Sequence, residues 1–128
     1  MSQPELPPLL REQLARYDQT QQNLQAVLAQ KQQVELELGE TEKALEELKK
    51  ASDTEAVYKF AGNILVKVKK EDVMKELNEK KELGNTRKMV LAKQETRFRE
   101  SLNDLQTKIN DAVKPKGPQQ QVQPPGDA

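Results

Sequence analysis

The sequence lacks cysteine, histidine and tryptophan altogether, and it contains only two phenylalanines and two tyrosines among its 128 residues. Without cysteine there is no disulfide, no thiol nucleophile and no thiolate metal ligand. Without histidine, the commonest general base and the commonest nitrogen ligand of metals are also missing. Because aromatic side chains supply much of the buried area of compact domains, their scarcity argues against one large globular core.

An excess of charge of one sign is also missing, since 21 Lys and Arg balance 21 Asp and Glu. A neutral chain has no overall field that would concentrate it on nucleic acid. No apolar run approaches the length of a membrane span, and Met1–Leu10 contains no apolar core of a signal peptide. We therefore expect a cytoplasmic protein that binds neither nucleic acid nor a membrane.

Glutamate, lysine, leucine, glutamine and alanine are abundant, which is typical of long solvated helices that share a narrow apolar seam. Residues 9–51 contain no proline, and their apolar side chains recur at spacings of four and three. This pattern predicts a first coiled-coil helix over 9–51, after an N-terminal extension over 1–8. The predicted seam has polar exceptions at Gln21 and Lys31 and changes phase near Lys31. Its other members are Leu10, Leu14, Tyr17, Leu24, Leu28, Val34, Leu38, Thr41, Leu45 and Leu48.

Residues 55–69 have a different pattern, with two short β-branched or aromatic runs on either side of Ala61-Gly62-Asn63. Glycine and asparagine are what a tight turn with positive φ needs, so this segment is predicted to form a single β-hairpin. The acids Glu71 and Asp72 favour the start of a second helix, predicted over 70–113. The Gln- and Pro-rich residues 114–128 are too poor in apolar side chains to fold alone and are predicted to be disordered.

The predicted seam of the second helix is weak in its middle, where Lys80, Gly84 and Arg87 take the expected positions. Its apolar members are Val73, Leu77, Leu91, Phe98, Leu102, Leu105, Ile109 and Ala112. Helices of about 43 residues would each be about 60–65 Å long, and a hairpin between them makes them antiparallel. Residues at the same level then have numbers that sum to about 123, which places Gly39 beside Gly84. We interpret these glycines either as tolerated surface residues or as a flexible joint.

The predicted hairpin carries apolar side chains on both faces and has two open edges. A two-stranded hairpin is marginally stable in water, and an exposed one would promote aggregation. The simplest remedy is that the hairpins of several chains close into a shared sheet or barrel. The residues predicted to make this oligomerisation contact are Val57, Tyr58, Phe60, Ile64, Leu65, Val66 and Val68.

A second apolar group gathers where the start of the first helix meets the end of the second, at the tip of the coiled coil. These side chains are interpreted either as ordinary seam packing or as a partly exposed surface that holds another apolar chain. The residues assigned to this surface are Leu6, Leu9, Leu10, Leu14, Tyr17, Leu105, Ile109 and Val113.

Two long helices on either side of one hairpin resemble the prefoldin family. The stretch Ala56–Val68, with its Gly-Asn turn followed by Ile-Leu-Val, is similar to the hairpin of that family. Gln30–Leu38 and Glu42–Leu48 look like its first helix. One hairpin rather than two indicates the β-type subunit. The resemblance is archaeal in character and extends over roughly Leu9–Val113.

This resemblance implies a hexamer of two α-type and four β-type subunits, in which the hairpins form a double β-barrel platform that carries six coiled-coil arms. It also implies that the arm tips hold non-native client proteins without nucleotide or other cofactor and pass them to a group II chaperonin. The leading hypothesis is therefore a holdase chaperone subunit. The alternative is a structural coiled-coil scaffold or spacer that binds no client.

Catalysis and nucleic-acid binding are not expected. Carboxylates such as Glu46 and Glu47 are explained by a solvated helix face, and no GxxxxGK[ST] phosphate loop is present. Lys67, Lys69 and Lys70 form a basic cluster beside the hairpin, interpreted either as a solvated strand end or as a docking contact for acidic chain ends of a chaperonin. No aromatic platform accompanies these lysines, which argues against nucleic acid.

Overall fold

The computed structural model describes residues 6–114. They form helix α1 (Pro8–Lys50), strands β1 (Val57–Ala61) and β2 (Ile64–Val68), and helix α2 (Lys70–Val113), in that order. Two long helices joined by a single hairpin confirm the predicted fold class. Most of the predicted extension over 1–8, and all but one residue of the predicted disordered tail over 114–128, lie outside the described residues.

Local chemistry explains where the helices begin and end. Proline is well suited to the first helical position, where Pro8 stands, because its missing N–H needs no partner there. The last turn of α1 carries Lys49 and Lys50, and the first turn of α2 carries Glu71 and Asp72. Each charge therefore complements the partial charge at its end of the helix.

The buried positions of α1 follow one unbroken alternation of three and four residues. Buried and half-buried side chains on this stripe are Leu10, Gln13, Tyr17, Thr20, Leu24, Val27, Lys31, Val34, Leu38, Thr41, Leu45 and Leu48. The predicted change of phase near Lys31 is therefore wrong. Val27 is 5% exposed and takes the place predicted for Leu28, while the polar Gln13 and Thr20 take places predicted for Leu14 and Gln21. A continuous heptad lets the helix keep one face inward without a local change of winding.

The stripe of α2 is largely as predicted at its apolar positions, with Leu91, Leu105 and Ile109 buried. Ala112, predicted to belong to the seam, is exposed in the last turn of the helix. In the weak middle, Lys80 and Arg87 are exposed, and Lys81 and Gly84 take the half-buried places. The long lysine side chain can lie along the apolar surface while its ammonium group reaches water.

The chain divides into two compact units. We call Val27–Gln94 the hairpin unit, and the described part of Met1–Ala26 and Glu95–Ala128 the terminal unit. In the hairpin unit, ion pairs join the two helices: Glu42 to Lys81 at 3.8 Å, Glu35 to Lys88 at 3.9 Å, and Glu37 to Arg87 at 4.0 Å. The paired residue numbers sum to 123 or 124, which confirms the predicted antiparallel pairing of the helices in this unit.

The two helical glycines have different surroundings. A Cβ atom on Gly84 would lie 2.7 Å from Cδ2 and 3.0 Å from Cγ of Leu38, whereas a Cβ on Gly39 would meet nothing within 4 Å. Gly39 fits the interpretation as a tolerated surface glycine. Gly84 does not fit the interpretation as a surface glycine, because it is half-buried and allows α2 to approach the buried Leu38 closely.

The two strands pair antiparallel, from Val57 opposite Val68 to Ala61 opposite Ile64. Only Gly62 and Asn63 connect them, and Gly62 has a φ of +67°. No other residue of the described chain has a positive φ. Positive φ at the first central position alone is the pattern of a type II′ turn, whose twist suits a hairpin.

Candidate functional site

The hairpin presents apolar side chains on both faces. Residues directly opposite each other share a face, so Tyr58 and Phe60 lie with Lys67 and Leu65 on one face of the sheet. Phe60 is 73% exposed and Leu65 is 60% exposed. Exposed aromatic and aliphatic groups of this size are a feature of surfaces that bind another chain.

The other face is partly covered near the base of the hairpin. Val57 and Val68, which pair with each other, are both half-buried. Ile64 is 60% exposed next to the turn, and Val66 is 39% exposed. All seven residues predicted for oligomerisation therefore lie on this two-stranded sheet. On this face, the exposed fraction of the side chains increases from the base of the hairpin to its turn.

Both edges of the sheet are open within residues 6–114, because the sheet consists of β1 and β2 alone. The outward backbone N–H and C=O groups of each strand can therefore pair with a further strand. An open edge combined with two apolar faces is the geometry from which a barrel shared between chains can be built.

Lys59 connects the hairpin to α2, and Lys70 connects the start of α2 to the end of α1. Lys59 on β1 donates from Nζ to both carboxylate oxygens of Glu76 on α2, each at 3.1 Å. Lys70 donates from Nζ to the backbone carbonyl of Ala51 at 2.7 Å and lies 3.5 Å from Oδ1 of Asp53. Because the Lys70 side chain is only 19% exposed, this lysine is not part of an open basic surface. Lys67 and Lys69 of the predicted cluster are exposed.

The apolar residues assigned to the coiled-coil tip all lie in the terminal unit, but they divide into two sets. Leu10, Leu105 and Ile109 are 5%, 7% and 9% exposed and belong to the buried stripes. Leu6, Leu9, Leu14 and Val113 are exposed, with values from 39% for Leu14 to 65% for Leu9, and Tyr17 is half-buried. The exposed set can contact another chain without any opening of the helices.

Four large apolar side chains that the sequence analysis left without a place are exposed on the helices of the hairpin unit. They are Leu36, Leu83, Met89 and Val90. In the sequence they are apolar residues that lie outside the heptad positions. They can be recognised as such only when the heptad positions are assigned correctly. Leu36 is 59% exposed, close to the value for Leu9, and it provides a matched control for experiments on the terminal unit.

The described residues contain no group of three His, Cys, Asp or Glu side chains arranged to hold a metal ion. Over the same residues, neither helix has an apolar stretch long enough to cross a bilayer.

Two long helices joined by a hairpin with exposed apolar side chains define a class of coiled-coil proteins. The family model described as prefoldin subunit matches residues 11–116. The chain belongs to this family, which is a family of chaperone subunits and not of enzymes.

Similar proteins share the β-type character predicted from the single hairpin. Prefoldin subunit beta of Archaeoglobus fulgidus is 50% identical over 111 residues, which cover 87% of this chain and 96% of that protein. Prefoldin subunit beta of Pyrococcus furiosus is 39% identical over 110 residues, covering 86% of this chain and 94% of that protein.

A solved structure is also similar. The crystal structure of the prefoldin beta subunit from Thermococcus strain KS-1 matches with a TM-score of 0.78 and 39% identity, covering 87% of this chain and 97% of that one. The predicted resemblance to a β-type prefoldin subunit is thus confirmed by sequence and by fold.

Proposed function

We propose that this protein is the β-type subunit of a hexameric holdase chaperone that binds unfolded proteins without nucleotide and delivers them to a group II chaperonin. The observation that carries this proposal is the exposure of Leu6, Leu9, Leu14 and Val113 in the terminal unit, apart from the apolar hairpin. One apolar surface is thus available for assembly and another for capture.

The hairpin is the assembly surface. Its open edges accept strands from neighbouring subunits, and Phe60, Tyr58 and Leu65 become buried when a barrel closes. The partners are an α-type subunit and other copies of this chain, in the ratio of two α to four β. The prefoldin subunit beta name carried by the similar proteins supports this assignment.

The exposed set of the terminal unit makes the client contact. Burial of one leucine side chain is worth about 1.5–3 kcal/mol, so each side-chain contact between an arm and an apolar segment is weak. When six arms surround one client, each later contact is effectively intramolecular, and the combined affinity is much higher than that of one arm. Release needs no nucleotide because each contact remains weak and exchanges readily.

Leu10, Leu105 and Ile109 act differently from the exposed set. Since they are buried, they hold the ends of α1 and α2 together and so keep Leu9 and Val113 in place. They contact a client only where the ends of the helices separate. Tyr17 is half-buried and contributes to both the seam and the surface.

Membership of the prefoldin family supports the proposal of delivery to a group II chaperonin. In the basic cluster, Lys67 and Lys69 are exposed and able to contact acidic chain ends, whereas Lys70 is held by Ala51. The protein acts in the cytoplasm and binds neither nucleic acid nor a membrane.

The alternative function is a structural scaffold or spacer. A spacer has no need of exposed leucines in the terminal unit or of an apolar hairpin between its helices. It would assemble but would not protect an unfolded protein from aggregation.

The experiment that separates the two functions is an aggregation assay with a chemically unfolded substrate and the complex reconstituted with an α-type subunit. We expect Leu9→Ser combined with Val113→Ser to reduce protection several-fold while the mass of the complex stays the same. Leu36→Ser is the control, because it removes a similarly exposed leucine from the hairpin unit. Undiminished protection by the double variant would refute the client surface, and no protection by the wild-type complex would favour the scaffold.

A further inference from the structure

The segment between α1 and β1 is a hydrogen-bonded turn and not a loose linker. The backbone N–H of Ser52 donates to Oε1 of Glu55 at 2.8 Å, and the backbone N–H of Glu55 donates to the carbonyl of Ser52 at 3.1 Å. The two bonds close residues 52–55 into a compact turn directly after α1. The segment that leads from α1 into β1 therefore has a defined conformation.

Lys70 ties this turn to the other helix. It is the first residue of α2, yet its ammonium group donates to the carbonyl of Ala51, the residue that follows α1. The last carbonyl groups of a helix have no intrahelical donor and carry a partial negative charge, which a lysine complements well. The side chain is 19% exposed, so water competes little for this bond.

A second tie joins the middle of the hairpin to α2. Lys59 on β1 holds the carboxylate of Glu76, six residues beyond Lys70 on the same helix. At 1.5 Å per residue the two attachment points are separated by about 9 Å along α2. Lys70 holds the segment that leads into β1 and Lys59 holds β1 itself, so the two ties together restrict how the hairpin can swing relative to α2.

The two ties are unequal in strength. Lys59 and Glu76 are 43% and 57% exposed, so solvent screens their attraction. The bond from Lys70 is shorter, better shielded and directed at a helix end. Lys70 is therefore the main tie, and Lys59 is an auxiliary one.

We propose that Lys70, assisted by Lys59, is a positioning residue that sets the angle between the hairpin and the helices and thereby the direction in which each arm leaves the assembly. This inference rests on the proposed function for its consequence, since client capture by several arms requires that they converge on one client. Lys70 itself touches no client. It acts through the carbonyl of Ala51.

The test measures the angle and the capture separately. Because the chain has no cysteine, spin labels can be placed at Asn63→Cys in the turn and Asn78→Cys on α2, both within the hairpin unit. Labelled chains are diluted with unlabelled chains in the reconstituted complex, so that the distance distribution reports on one subunit. Protection of an unfolded substrate is measured on the same preparations.

We expect Lys70→Met to broaden the distance distribution markedly and to reduce protection several-fold, with no change in the mass of the complex. Lys70→Arg should behave almost as wild type, since it retains a cation and donors. Lys75→Met is the matched control, because Lys75 is an exposed lysine on the same helix, and it should change neither measurement.

An unchanged distance distribution in Lys70→Met would overturn the proposal, as would a broadened distribution with undiminished protection. If Lys70→Met loses its helical circular dichroism, Lys59→Met decides: a smaller broadening supports the proposal, and none contradicts it. If the wild-type complex itself gives no protection while Lys70→Met broadens the distribution, the proposed function fails and the role of Lys70 in setting the angle stands.

Discussion

Leu38 of α1 occupies the space that Gly84 of α2 leaves by having no side chain, since a Cβ at position 84 would lie 2.7 Å from its Cδ2. Glycine normally destabilises a helix interior by about 1 kcal/mol relative to alanine. Here that loss is compensated by close packing against a leucine that is only 7% exposed. The glycine in the middle of α2 is therefore part of the interface between the helices.

Alanine substitutions at the two helical glycines should have opposite effects. Gly39→Ala should raise the free energy of unfolding by about 0.5–1 kcal/mol, because its Cβ meets nothing and helix propensity improves. Gly84→Ala should lower it by about 1–2 kcal/mol, because Leu38 must move within a packed seam. Urea unfolding at equal chain concentration measures both. Equal stabilisation by the two variants would show that Leu38 moves freely.

Substitutions at two neighbouring leucines of the terminal unit should affect different properties, one the stability of the unit and the other the capture of an unfolded substrate. Leu10→Ala should destabilise this unit by about 2–4 kcal/mol, because the residue is 5% exposed. Leu9→Ala should change stability by less than about 0.5 kcal/mol, because the residue is 65% exposed, yet it should weaken protection of an unfolded substrate. Hydrogen exchange of the amides in the terminal unit gives the first quantity. Comparable loss of exchange protection in both variants would argue against this division.

Thr41 is a buried polar residue whose hydroxyl bonds to the backbone of its own helix. Its Oγ1 donates to the carbonyl of Glu37 at 2.9 Å, one turn earlier on the same helix. Because that carbonyl also accepts the regular helical bond, Thr41→Val should stabilise the hairpin unit by about 0.5–1 kcal/mol. Thermal unfolding followed by circular dichroism tests this. A destabilisation of more than about 1 kcal/mol would mean that the hydroxyl has an unrecognised partner.

Assembly should be driven by the apolar faces and open edges of the hairpin and not by ion pairs. Phe60→Ser should lower the mass of the complex without loss of helix, because Phe60 is 73% exposed in the free chain and on the predicted contact face. High salt, about 1 M, should leave the wild-type complex intact, since it screens exposed charges and not apolar contacts. Light scattering in both conditions measures the mass. Dissociation by salt alone would indicate an electrostatic interface instead.

The helices and strands can be predicted from the sequence, but the inward-facing positions of α1 can be predicted only in part. The hairpin is predictable because Gly62 and Asn63 lie between two β-branched runs. Glycine adopts the positive φ that the turn requires at position 62 without steric cost. Three seam positions in the first half of α1 differ from the prediction; at one of them Leu14 is apolar and Gln13 is not, although Gln13 lies further inward. The hydrophobicity of single residues does not decide which of them face inward, because the inward face of α1 is set by its packing along the whole helix.

The hydrogen bond of Lys70 also cannot be predicted from the sequence. Its partner is the backbone carbonyl of Ala51, 19 residues away in the chain. Because every residue has a backbone carbonyl, the residue types do not indicate which one accepts this bond. The sequence therefore grouped Lys70 with Lys67 and Lys69 as one basic cluster. The shared barrel depends on strand edges of other chains, which a single sequence does not contain.

The most direct test of the proposed function is the mass in solution of this chain alone and mixed with an α-type prefoldin subunit, measured by light scattering. We expect the mixture to form one species of six chains, two of the α type and four of this chain, and we expect this species to protect an unfolded protein from aggregation. A monomer or simple dimer in both conditions would contradict the proposed function, because the apolar hairpin would then remain uncovered.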